Sequence, residues 1–113
     1  MIHRGHDAEN QAAIFLSQNK LKLLARNYRC RFGEIDLVMQ DGNTLVFVEV
    51  RMRNSDHYGG AAASITPAKQ AKLIQTARHY LARQDYDMPC RFDAILISRN
   101  RKIEWIQNAF DAA

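Results

Sequence analysis

The stretch GEIDLVMQDGNTLVFVEVR, residues 33–51, decides the fold. Asp41-Gly42 is a turn signal between two runs rich in aliphatic and β-branched residues. Together they predict an antiparallel hairpin with strands 33–40 and 43–53. Yet Asp36 stands among Ile35, Leu37 and Val38, and Glu49 among Phe47, Val48 and Val50. Strand interiors disfavour carboxylates, so two acids in one hairpin ask for a reason.

Alternation along a strand sorts the hairpin into two faces. Ile35, Leu37, Met39, Val46, Val48, Val50 and Met52 form an apolar face. Glu34, Asp36, Val38, Leu45, Phe47, Glu49, Arg51 and Arg53 form the other. A two-residue loop at Asp41-Gly42 would oppose Asp36 to Phe47 and Glu34 to Glu49. A four-residue loop, Asp41 to Thr44, opposes Asp36 to Glu49 and Glu34 to Arg51. The second register is preferred because it sets Glu34 against a cation, predicting an ion pair with Arg51. Either register keeps both acids on one face, since directly opposed residues share a face. A three-residue loop without a bulge would separate the two apolar sets and is rejected. Two neighbouring carboxylates repel, so a shared proton, an arginine or a divalent cation must compensate. Hard oxygen donors favour magnesium, manganese or calcium.

Outward from the hairpin, DAENQAAIFLSQN (7–19) carries Ala8, Ala12, Phe15 and Leu16 on one helical stripe, with Asp7 as N-cap. If this helix packs on the acidic face, Glu9 supplies a third carboxylate. Residues 21–29 read as a strand. Residues 54–65 lack a period and form a loop long enough for a binding role. Thr66-Pro67 opens a second helix to about Gln84, with Thr as N-cap and Pro at N1. CRFDAILIS (90–98) and KIEWI (102–106) are strands joined by a turn at Asn100-Arg101. The order α-β-β-β-α-β-β predicts an α/β fold with a mixed central sheet flanked by helices.

The chain has 113 residues, 47% hydrophobic and 25% charged, the balance of an ordinary globular protein with one modest core. No apolar run approaches the ~20 residues of a membrane span, and the first ten residues lack the apolar stretch of a secretory signal. A cytoplasmic protein without a membrane partner is expected. The two cysteines, Cys30 and Cys90, are expected to be reduced thiols in or near strands. The net charge of +4 suits an anionic partner without requiring one.

GEIDLV, LVFVEVR and TPAKQ, in this order and spacing, resemble the bacterial YraN-type proteins, classed with the PD-(D/E)XK nuclease fold beside archaeal Holliday-junction resolvases. The resemblance runs from about Gly5 to about Asp93. It implies a restriction-endonuclease-like core in a single domain, residues 1–113. It also implies a site in which Asp36, Glu49 and the carbonyl of Val50 hold Mg²⁺ or Mn²⁺, with Glu9 as the helical acid. The catalytic set would be Glu9, Asp36, Glu49 and Arg51, acting on DNA, branched or damaged. Enzymes of this kind that cut duplexes often work as dimers, so a homodimer is one expectation. The chain departs from the pattern at Arg51, where active nucleases usually have lysine. Arginine can grip phosphate and steady negative charge, but it hardly ever deprotonates to serve as a base.

Arg53 and Lys69 are the candidate nucleic-acid contacts, Lys69 because helix N-termini favour anions. Asp93 reads as a structural acid paired with a nearby arginine. His3 and His6 read as a solvated terminus, His57 as a loop residue without a role and His79 as a surface residue. Tyr28, Tyr58 and Phe32 could stack on bases, although Phe32 before Gly33 reads more easily as packing. Three function classes follow: a metal-dependent phosphodiesterase, an inactive nucleic-acid-binding module on the same scaffold, or a structural protein-interaction domain.

Overall fold

A computed structural model describes residues 4–53, 65–84 and 87–111; the side chains of residues 4–6 and 53 lie outside the described set. The elements run α1 (Arg4–Gln18), β1 (Lys22–Cys30), β2 (Gly33–Asp41), β3 (Thr44–Arg53), α2 (Pro67–Ala82), β4 (Cys90–Ser98) and β5 (Ile103–Phe110). The five strands form one sheet in sequence order, β1-β2-β3-β4-β5. Only the β3·β4 pair is parallel; the other three pairs are antiparallel. A parallel pair needs a crossover between its strands, and α2 lies in that connection. No described helix is long and apolar enough to cross a membrane.

The β2–β3 register runs from Asp41↔Thr44 to Leu37↔Val48, the register expected from Glu34's preference for a cation. The loop is nevertheless two residues, Gly42-Asn43, because Asp41 and Thr44 still pair. Gly42 sits at φ +61°, the left-handed conformation that glycine adopts without a Cβ penalty.

The two helices cover opposite faces of the sheet. Ala8, Ala12 and Leu16 of α1 pack with Leu37, Met39, Val46, Val48 and Ile95. Leu73, Ala77 and Tyr80 of α2 pack with Val38, Phe47, Phe92 and Leu96. β4, buried between them, is apolar on both sides from Phe92 to Ile97 except at Asp93, as a strand covered on both faces should be.

Helix ends fix these positions. α1 begins at Arg4, so Asp7 lies in its first turn rather than at the cap, and accepts a hydrogen bond from Gln11 at 3.3 Å. Its C-terminus closes with Leu21 N–H donating to Leu16 and Lys20 N–H to Ser17, Lys20 having φ +74°. This is a Schellman motif with lysine where glycine is usual. Thr66 caps α2 as expected, its hydroxyl accepting from Lys69 N–H at 3.2 Å. Cys30 and Cys90 are free thiols.

Candidate metal and nucleic-acid site

The site forms where β2 and β3 part. Their ladder stops at Leu37↔Val48; continuing the register one step would set Asp36 opposite Glu49. There the Asp36 carboxylate takes the place of a backbone acceptor, receiving the Val50 N–H at 2.8 Å. On the other side of β2, pairing with β1 skips Asn27 and Asp36, and Asn27 adopts φ +49°. Alternation breaks at the same point: Ile35 packs on the α2 face while Leu37 packs on the α1 face. The expectation that Ile35 shares a face with Leu37 and Met39 is therefore corrected. The strand is irregular at Asp36, and strict period-2 reading cannot cross such a break.

Asp36 is half-buried, and its carboxyl is pushed up to about 7. Desolvation is the largest cause. The hydrogen bond from Val50 opposes it, and the negative charges of Glu49, Glu9 and Glu34 add to it. Among the described residues no cation pairs with Asp36. Glu49 is 6% exposed and is neutralised: its Oε2 meets Arg51 Nε at 3.1 Å and Lys69 Nζ at 3.3 Å.

Four groups named from sequence thus meet around the strand opening: Asp36, Glu49, Arg51 and Lys69, with Glu9 near enough to act on Asp36 through its charge. Glu9 does so from a helix that packs on the apolar Val46/Val48 face, not on the acidic face. Lys69, expected to meet phosphate, here meets Glu49. Glu34 pairs with Arg29 at 2.9 Å rather than with Arg51, because Arg29 is its direct partner across the β1–β2 ladder. Arg53 pairs through its backbone with Ser98 of β4, but its side chain, like His3, His57 and Tyr58, lies outside the described residues.

His79 is not a free surface residue. Its Nδ1 is hydrogen-bonded to the Tyr28 hydroxyl, and its ring lies 6.4 Å from that of Phe32. Asp93 is structural as expected, fully buried and bonded to Arg91, Trp105 and the Asn108 backbone. Sequence reasoning missed the Lys69–Glu49 contact. Its one signal was the Thr66-Pro67 cap, which fixes where the first turn of α2, and so Lys69, must begin.

The donor chemistry fits a hard divalent cation: a desolvated Asp36 carboxyl with the charges of Glu49 and Glu9 beside it offers oxygen donors whose repulsion such an ion relieves. Among the described residues no ready-made group of three or more His, Cys, Asp or Glu side chains is assembled to hold one.

A profile of the uncharacterised protein family UPF0102 matches residues 8–97. A UPF0102 protein of Nitrosomonas eutropha is 74% identical over 109 residues, covering 96% of this chain and 94% of the relative. One from Methylobacillus flagellatus is 60% identical over 114 residues, covering 99% of this chain and 100% of the relative. One from Psychromonas ingrahamii is 52% identical over 108 residues, covering 95% and 88%.

Proposed function

The chain belongs to the uncharacterised protein family UPF0102, and from that premise we propose that it is a divalent-metal-dependent phosphodiesterase acting on DNA, built on a restriction-endonuclease-like core. The observation that carries this reading is Asp36. A half-buried acid is held near neutral pKa by burial and three like charges, at a point where two strands open. Among the described residues no cation compensates Asp36, and perturbed acids of this kind cluster at functional sites.

Asp36 and Glu49, with the carbonyl of Val50, are the ligands for Mg²⁺ or Mn²⁺, which when bound supplies Lewis acidity toward a phosphoryl oxygen and the attacking water. Glu9 orients that water from α1. Arg51 and Lys69 steady the negative charge that develops on phosphate. Lys69 also offers what Arg51 cannot, an amine able to give and take a proton. Its 3.3 Å contact with Glu49 supports assigning it the part that lysine plays two residues after the acid in related nucleases. Arg53 and the neighbouring basic side chains hold the DNA backbone.

The test is cleavage of supercoiled and branched DNA with Mg²⁺ or Mn²⁺. Glu49→Gln and Asp36→Asn are expected to lower the rate at least about 100-fold with the fold intact by circular dichroism. No cleavage by the wild-type chain with either metal would overturn the assignment. A second reading, a binding module that retains the scaffold without hydrolysis, draws on the double neutralisation of Glu49 by Arg51 and Lys69. It calls for DNA binding that is steep in salt and indifferent to chelator.

A further inference from the structure

One side of α2 connects the carboxylate site to an aromatic turn. Lys69, Lys72, Thr76 and His79 are spaced as neighbours along a helix face. Lys69 reaches Glu49. Lys72 is exposed, while Thr76 is buried beneath it against Gly33, whose φ is +149° and where a Cβ would meet Thr76 Oγ1 at 3.3 Å. His79 touches Phe32 and is held by Tyr28. Tyr28 is braced in turn by an edge-on contact with Tyr80. At the end of this line the exposed Arg31 lays its guanidinium over the Phe32 ring, 4.8 Å from the centroid. Ten residues of helix span about 15 Å, the length of roughly four stacked nucleotides.

We infer that the solvent edge of this line, from Lys69 past the exposed Lys72 to the exposed Arg31, is a track for a short single-stranded DNA segment leaving the carboxylate site, with a base stacked on the outer face of Arg31. The inference rests on the nucleic-acid reading above and narrows its substrate to DNA that carries an unpaired tail or flap. Arginine planes stack on bases. Here Phe32 orders the guanidinium beforehand, so less side-chain freedom is lost when the base arrives. Lys72 supplies a phosphate contact midway. The ring cluster of Tyr28, His79 and Tyr80 keeps Phe32 in place and takes no part in binding.

Binding is measured by fluorescence anisotropy with the full chain, in chelator and at fixed salt, so that no cleavage is needed. A blunt DNA duplex is compared with the same duplex bearing a tail of about four nucleotides. The wild-type chain is expected to prefer the tailed duplex about tenfold, the effect of one stacked base. Arg31→Ala is expected to abolish that preference and leave blunt-duplex affinity within about twofold. Arg31→Lys keeps the charge but loses the plane, and is expected to lose most of the preference as well. Arg31 is exposed, so neither variant disturbs the core. Equal affinity of the wild-type chain for both duplexes would overturn the track and leave the nuclease reading standing. A preference that survives in both Arg31 variants would do the same. No binding to either duplex in chelator would overturn the track as well, while the nuclease reading is decided separately by the metal-dependent cleavage assay.

Discussion

Two aspartates sit where ladder pairing in this sheet is interrupted, and they end in opposite states. Pairing of β2 with β1 skips Asp36 without a change of register, and pairing of β4 with β5 skips Asp93 with a shift of register between Phe92 and Ala94. Each break is accompanied by an asparagine in the left-handed region on the neighbouring strand: Asn27 at φ +49° and Asn108 at φ +53°. Asp93 is wholly enclosed and satisfied. It accepts from Arg91 Nε at 3.0 and 3.2 Å, from Trp105 Nε1 at 2.9 Å and from Asn108 N–H at 3.1 Å. Among the described residues Asp36 receives one backbone N–H and otherwise feels like charges. One interruption staples β5 to the sheet, and the other presents a desolvated carboxylate beside like charges. What separates them is the company each keeps: an arginine two residues away on the same strand for Asp93, and acids for Asp36.

The sharpest contrast is expected from removing each carboxylate. Asp93→Ala leaves Arg91 only its second carboxylate partner, Asp41 at 2.9 Å, and orphans the part-buried Trp105 and Asn108 donors, and is expected to cost about 2–5 kcal/mol in urea unfolding. Asp36→Asn relieves repulsion, so the metal-free protein is expected to keep or gain stability at pH 8. Its affinity for Mn²⁺, followed by calorimetry, is expected to fall by about tenfold or more. Loss of stability at Asp36 to match that at Asp93 would break the comparison.

Next is pH. The Asp36 carboxyl is raised in the folded chain, to about 7, from about 3.9 unfolded. The folded state therefore binds the proton more tightly. Its contribution to stability is complete below about pH 4 and is lost as pH rises through about 7. The unfolding free energy of the wild-type chain, measured against Asp36→Asn, is expected to decline across that window. Mn²⁺ affinity should climb over the same range, since the ion must displace that proton.

Trp105→Phe removes one donor from Asp93 while two remain, and is expected to cost about 1 kcal/mol. Smallest is Asn27→Gly, which eases the left-handed backbone beside Asp36 without touching a charge. A change in melting behaviour equivalent to less than about 1 kcal/mol is expected, and cleavage should be unaffected.

Much of this contrast was written in local signals, and the part that was not has a physical reason. Asp41-Gly42 announced the hairpin, and the choice between registers followed from the charge on Arg51, although Glu34 proved to bond with Arg29 on the strand before it. Thr66-Pro67 announced α2, and the apolar stripes of both helices marked the residues that bury. The break at Asp36 was invisible because it depends on Asn27 across the ladder, and the period-2 rule carries no record of a neighbouring strand. For the same reason Ile35 was assigned to the wrong face. His79 read as exposed because its partners, Tyr28 and Phe32, lie on the far side of the crossover in sequence. Lys69 was singled out for its place at a helix start; that it reaches Glu49 required knowing where α2 rests on the sheet.

The parallel pairing of β3 with β4 has a consequence for the order in which the chain closes. The hairpin that sets Asp36 opposite Glu49 is local and forms on the microsecond scale, whereas Lys69 arrives only after a longer excursion of the backbone. For an interval the nascent sheet holds its acids together with Arg51 as their one local cation and without Lys69. Refolding is therefore expected to quicken with added salt, which screens that transient repulsion, more in the wild-type chain than in Asp36→Asn.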